Sequence, residues 1–208
     1  MNCLIQARSS SKRFPNKVLK KLYGKEILLH VLDQLKRSKK IKKITVVTSL
    51  EKSDDKIVKL CKKSNISYFR GSLKNVALRY LKAAKKIKTK SFLRVCGDSP
   101  LINSRLIDKI IDKFNTRKFD LVTNIFPRTF PKGQSVEILK TKILNMNISR
   151  FNKNELEHVT PFFYKNSKKF KIYNYKSKKN LSKLNLSVDT NKDLIFLKKN
   201  FQLKNIKY

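Results

Sequence analysis

Three short stretches of this sequence carry the residue types that phosphate chemistry needs. The first, Ala7-Arg8-Ser9-Ser10-Ser11-Lys12-Arg13-Phe14-Pro15-Asn16-Lys17, sets small hydroxyl residues among four cations. Serines let the backbone turn and present N–H groups, Arg forks bind phosphate oxygens in pairs, and Lys supplies a mobile point charge. That composition describes a phosphate cradle, and equally a basic surface loop. It contains neither GxxxxGK[ST] nor GxGxxG, so P-loop and dinucleotide readings are weak. The second stretch, Arg94-Val95-Cys96-Gly97-Asp98-Ser99-Pro100-Leu101-Ile102, ends an apolar run in an acid. A carboxylate there can hold a magnesium ion that keeps several of its waters, or it can cap the helix that follows. The third, Leu186-Ser187-Val188-Asp189-Thr190, also ends in an acid and by itself reads as a helix cap. Paired with Asp98, however, Asp189 supplies the second carboxylate of one metal site. Acids are scarce, 14 against 51 bases, which gives weight to two of them at such places. Glu157-His158 is a further pair, since a His beside an acid can orient a substrate hydroxyl or accept a proton near neutral pH. His30 lies on an apolar helical stretch and reads as structural.

Positioning these residues requires a scaffold, and the apolar periodicity supplies one. Short apolar runs alternate with longer stretches of helical period, the pattern of strands joined by crossover helices. Strands are expected at Cys3 to Ala7, Ile44 to Thr48, Tyr68 to Arg70, Ser91 to Cys96, Leu121 to Asn124, Val136 to Leu139, Lys171 to Tyr175 and Leu186 to Val188. Lys25 to Arg37 places Ile27, Leu28, Val31, Leu32 and Leu35 on one helical face, and Asp54 to Lys63 does the same with Ile57, Val58, Leu60 and Cys61. Leu106, Ile107, Ile110, Ile111 and Phe114 form a third face, and Leu194, Ile195, Leu197 and Phe201 a closing helix. The expectation is an α/β fold over 1–208 as one domain, with ligands gathered at the carboxyl ends of the strands. The Lys/Ser/Asn segment Lys176 to Lys183 reads as an exposed loop.

Composition narrows the function classes. No stretch approaches the roughly 18 apolar residues of a membrane span, and no export signal is legible at the start. Cys3, Cys61 and Cys96 are widely spaced and without a CxxC pair, which suggests inert thiols in a reducing cytoplasm. A formal charge of +37 ordinarily points to a polyanion. Here the lysines are dispersed along the chain, with abundant Asn, Ile, Phe and Tyr, as in a proteome whose codons drift towards A and T. Charge on solvated faces is screened over about 8 Å at physiological salt. The same drift makes the four glycines, Gly24, Gly71, Gly97 and Gly133, informative.

Taken in order, Ile5-Gln6-Ala7-Arg8, Ser11, Arg13, Pro15, Lys17, Gly24-Lys25, Gly97-Asp98-x-Pro100-Leu101-Ile102 and Val188-Asp189-Thr190 resemble the cytidylyltransferase family, which makes CMP-linked 3-deoxy-manno-octulosonate and sialic acids. Phe69-Arg70-Gly71-Ser72, Val76 to Tyr80, Arg128 to Gly133 and Glu157-His158-Val159-Thr160-Pro161 are similar to the branch named after spore coat polysaccharide biosynthesis protein F. The resemblance runs from residue 1 to about residue 200.

It implies a Rossmann-like, glycosyltransferase-A-type three-layer sandwich with a mostly parallel sheet. It further implies that Arg8, Ser11, Arg13 and Lys17 hold the triphosphate of CTP, and that Asp98 and Asp189 hold Mg2+. Arg79 and Arg94 match basic positions serving nucleotide or substrate binding, and Glu137, Glu157 and His158 fall among the substrate contacts. One departure concerns Ser135, which stands where the family pattern commonly has an acid. The implied reaction is attack of an acidic sugar's hydroxyl on the α-phosphorus of CTP, releasing pyrophosphate for polysaccharide or glycan synthesis, in a homodimer. The aromatic-rich run Val159 to Tyr164 is the candidate interface. Two other readings compete with it. A glycosyltransferase of the same fold would show Asp-x-Asp at a strand end, and a nucleic-acid-binding protein would interleave aromatics and cations, as Phe170 to Tyr175 alone suggests. If one metal is shared, the carboxylates of Asp98 and Asp189 should approach within about 4 to 7 Å.

Overall fold

In the computed structural model, which describes residues 1–116, 118–201 and 203, the first apolar run becomes the strand around which the others assemble. This is β1 (Asn2–Gln6), followed by a small ribbon of β2 (Lys21–Leu22) and β3 (Lys25–Glu26). Then come α1 (Ile27–Lys36), β4 (Lys43–Ser49), α2 (Asp55–Lys63), β5 (Ser67–Gly71), α3 (Val76–Lys86) and β6 (Ser91–Cys96). The second half contains α4 (Ser104–Asn115), β7 (Leu121–Thr123), β8 (Glu137–Lys140), α5 (Thr141–Asn147), α6 (Lys153–His158), α7 (Pro161–Lys165), β9 (Ile172–Asn174) and α8 (Asn191–Lys199). The main sheet has the order β5-β4-β1-β6-β8-β7-β9. Its pairs are parallel except the two made by β8, which runs against β6 and β7.

Side chains of successive strand residues point to opposite faces, and the core divides accordingly. Cys3, Ile5, Val46, Leu93, Val95, Val122 and Ile138 pack with the apolar stripes of α1, α2 and α4. Leu4, Val47, Phe92, Leu121 and Leu139 pack with α3, α5 and α7 on the other side. The expected three-layer α/β sandwich with a mostly parallel sheet is the architecture found. The helical faces legible in the sequence are the buried ones: Ile27, Leu28, Val31, Leu32 and Leu35 of α1, and Leu106, Ile107, Ile110, Ile111 and Phe114 of α4. Among the described residues, no helix is long and apolar enough to cross a membrane.

Four expectations require correction. Lys25 and Glu26 belong to the β2–β3 ribbon, so α1 begins at Ile27. Leu186 to Val188 is not a strand of the sheet, because β1 and β8 already occupy both edges of β6. The run satisfies its backbone with loops instead. Leu186 N–H donates to Lys132 C=O at 2.7 Å and Val188 N–H to Asp98 C=O at 2.9 Å. Its apolar side chains join Leu22, Ile27, Leu101, Leu194 and Leu197 in a satellite core. In α8, Leu194 and Leu197 are buried whereas Ile195 is exposed, and Phe201 lies beyond the helix end. Finally, Val159, Phe162 and Phe163 are buried in this chain's own core, so Val159 to Tyr164 is withdrawn as a dimer surface.

Candidate active site

The chain leaves β1 for β4 and β5 on one side, then returns to β6 on the other. In open α/β sheets ligands bind in the crevice at the carboxyl ends of the strands where the order reverses. Here the loops after β1 and after β6 leave from that point, and between them lies an open cleft of about 870 Å³. Gln6, Arg8, Ser10, Ser11, Lys12, Arg13 and Lys17 line one wall, with Cys96 and Asp98 beside them. Opposite stand Leu73, Lys74 and Asn75, ahead of α3, and Lys153, Leu156 and Glu157 from α6.

The first loop is a closed lobe. Ser9 C=O accepts the Asn16 N–H at 2.9 Å, and Asn16 adopts a left-handed conformation (φ 57°), which Asn tolerates well. A short 3₁₀ turn, Lys17–Leu19, then buries Val18 and starts with Lys17 at the floor of the cleft. The Lys17 ammonium lies 2.5 Å from Asp98 Oδ2 and 2.8 Å from Asp189 Oδ1. The nearest oxygens of the two carboxylates are therefore separated by no more than the sum of those contacts. Asp189 is also 3.3 Å from Arg13 and is paired with Lys132 through its other oxygen.

Neither aspartate serves as a helix cap. Asn103 caps α4, its side chain accepting from Leu106 N–H at 2.9 Å. Thr190 caps α8 in a reciprocal box with Asp193. Asp98 and Asp189 are thus left for each other and for the cations between them. Two anions so close repel when uncompensated. Burial pushes Asp189 up, but the bonds from Lys132 and Lys17 outweigh it and hold the carboxyl at about 2. Burial alone lowers the Lys17 ammonium. The Asp98 charge and the bonds to both aspartates outweigh that, and its pKa ends raised.

The model of the cytidylyltransferase family matches residues 2–206. The chain belongs to the cytidylyltransferase family. It is 36% identical over 209 residues to an uncharacterised protein of Methanocaldococcus jannaschii, spanning 98% of this chain and 85% of that protein. It is 26% identical over 208 residues to the spore coat polysaccharide biosynthesis protein SpsF of Bacillus subtilis, spanning 96% and 85%. A solved cytidylyltransferase from Leptospira borgpetersenii superposes with a TM-score of 0.89 at 33% identity, over 100% of this chain and 98% of that one. The protein is a nucleotidyltransferase that uses CTP.

Other sequence-derived candidates of this cytidylyltransferase fall into four places. Arg8 and Glu157 meet across the cleft at 3.0 Å. Arg94 and Glu137 form a buried pair beneath it: Arg94 also donates to Gln6 at 3.2 Å and lies over the Tyr80 ring, while the Tyr164 hydroxyl donates to Glu137 at 2.5 Å. Burial alone lowers the Arg94 guanidinium, but the Glu137 charge outweighs it and raises its pKa. Arg79 is fully buried and donates to Ser72 C=O at 2.8 Å, which places it under the Gly71 to Asn75 loop rather than in the cleft. His158 is exposed and lies outside the cleft lining.

Two residues bonded to the site, Lys132 to Asp189 and Asp54 to Ser9, were not singled out by the sequence. Lys132 reaches Asp189 because Gly133 (φ +91°) lets the backbones cross closely; an added Cβ would stand 2.5 Å from Leu186 C. The scarcity of glycine is the one signal that marks this crossing. Asp54 reads as the first residue of an ordinary crossover helix, and nothing in its neighbours along the chain announces its contacts.

Proposed function

We propose that this cytidylyltransferase moves CMP from CTP onto a hydroxyl of an acidic sugar, releasing pyrophosphate, in the synthesis of a surface polysaccharide or glycan. The observation that carries the reading is the Lys17, Asp98 and Asp189 cluster at the switch point of the sheet, facing a cleft wall of serines and cations. Arg8, Ser11, Arg13 and Lys17 would bind the phosphates of CTP. The sugar hydroxyl attacks the α-phosphorus, giving up its proton to solvent as a new P–O bond forms, and the bond to the β-phosphate oxygen breaks with its electron pair leaving on pyrophosphate. Cations fixed around the phosphates stabilise charge where it develops in the transition state, without the reorganisation that water would require.

A divalent metal fits the donor set. Magnesium takes one or two carboxylates together with waters and substrate phosphates, and Asp98 and Asp189 present two carboxylates within reach of one ammonium. They would hold the ion, which when bound neutralises phosphate charge. The acidic acceptor is supported by the likeness to the family's 3-deoxy-manno-octulosonate cytidylyltransferases. Arg128 donates to Ser135 Oγ at 3.0 Å and to Pro131 C=O at 3.3 Å, outside the cleft lining.

The rival readings lack such support. Asp98 is followed by Ser99 and Pro100, not by a second acid. The aromatics of Phe170 to Tyr175 are spent on packing: Phe170 against Phe163 at 5.1 Å, Tyr173 against Phe119 at 5.1 Å and Tyr175 against Phe130 at 6.1 Å. Three free cysteines support a reducing cytoplasm as the place of action. A homodimer is part of the proposal, by resemblance; a purely monomeric boundary in sedimentation at micromolar concentration refutes it. The main reading is tested by offering four nucleoside triphosphates with acidic and neutral sugars and following pyrophosphate release. CTP with an acidic sugar should be the preferred pair. Preference for another nucleotide, or for neutral over acidic sugars, overturns it.

A further inference from the structure

Asp54 is fully buried, and its carboxylate joins the base of the first loop to the end of β4. One carboxylate oxygen accepts the Ser9 N–H at 2.6 Å. The other accepts the Thr48 hydroxyl at 3.0 Å, the Ser49 N–H at 3.0 Å and the Ser49 hydroxyl at 2.5 Å. Ser9 is itself buried, and its carbonyl closes the lobe through Asn16. Asp54 therefore ties the end of β4 and the start of α2 to the residue from which the Ser10 to Pro15 lobe departs. Burial opposes the ionised form, but hydrogen bonds from Ser49, Ser9 and Thr48 outweigh it and lower the pKa. The group stays a carboxylate at neutral pH although, among the described residues, no cation forms an ion pair with it, Arg79 being a charge that interacts with it at longer range.

We infer that Asp54 is a positioning residue for the triphosphate, holding the Ser9 to Lys17 lobe in the shape that presents its N–H groups and cations to phosphate. This rests on the reading of that loop as the phosphate cradle. An anion near a phosphate site repels phosphate, so if its charge were its main effect, neutralising it would tighten CTP binding. If positioning dominates, the same change weakens binding, and weakens it for the phosphates alone. The two possibilities differ in sign.

The test compares the affinities of CTP and cytidine by calorimetry at fixed magnesium concentration, for the natural chain and for Asp54→Asn, with circular dichroism and thermal melting as controls on folding. In Asp54→Asn the affinity for CTP should fall about tenfold or more, the scale of a lost charge-assisted hydrogen bond, while the affinity for cytidine stays within about twofold. Ser49→Ala, which removes one donor and leaves the carboxylate, should lower the CTP affinity in the same direction by a smaller factor, and it decides the matter if Asp54→Asn does not fold. Unchanged or tighter CTP binding in the folded variants, or an equal loss for CTP and cytidine, overturns the inference. A natural chain that binds CTP no tighter than cytidine instead refutes the phosphate-cradle reading beneath it.

Discussion

Replacing Asp98 by Asn is expected to leave the fold intact and to abolish metal-dependent pyrophosphate release, with turnover falling by about three orders of magnitude or more. Its fold roles are carried elsewhere. Asn103 caps α4, and the bond that holds the 186–188 segment uses the Asp98 backbone carbonyl, which the substitution keeps. What the amide removes is the negative charge and one of two carboxylates that meet at the Lys17 ammonium. Asn keeps the volume, so no cavity opens, and melting should shift by only a few degrees. Kinetics over a magnesium titration decide the outcome. A variant that retains half the natural turnover at saturating CTP and metal would remove Asp98 from the metal site, and with it the shared-carboxylate mechanism.

Lys17→Ala should lose about 2 to 4 kcal/mol of transition-state stabilisation, the scale of one preorganised donor, or roughly 30- to 1,000-fold in turnover. Two effects act together. The phosphates lose a cation, and Asp98 and Asp189 lose the ammonium that lies between them. Asp189 keeps Arg13 and Lys132, so it stays ionised at neutral pH, yet it is held down less firmly than at about 2. A carboxyl whose folded pKa is depressed stabilises the fold above its unfolded pKa and loses that contribution as pH falls through the folded one. With less depression in the variant, the acid edge of stability moves to higher pH, while stability near neutrality changes little beside the loss of rate. Unchanged turnover at saturating CTP would show that the loop does not cradle phosphate.

The division between what was legible in the chain and what was not follows the range of the interactions. Burial along a strand or helix is set by residues two, three or four apart, so the period-two runs and the stripe Ile27, Leu28, Val31, Leu32, Leu35 announce the sheet, the crossover helices and the faces they bury. Loop chemistry is legible too, because a run such as Arg8 to Lys17 carries its cations and hydroxyls wherever it is placed. Partners are different. Lys17 meets Asp98 and Asp189 from 81 and 172 positions away, and only the strand order that sets β6 beside β1 brings the first of them into reach. Asp189 arrives by a segment that looks like a strand and finds both sides of β6 taken, so a backbone bond to Asp98 and the close crossing at Gly133 place it instead. Arg94 and Glu137 each look like a residue that touches substrate, and face one another only because β6 and β8 pair in that register. Asp54 shows the limit most clearly: its bonds to Thr48 and Ser49 reach back only six and five positions, but the bond to Ser9 crosses 45, and no local pattern of residue types announces that meeting.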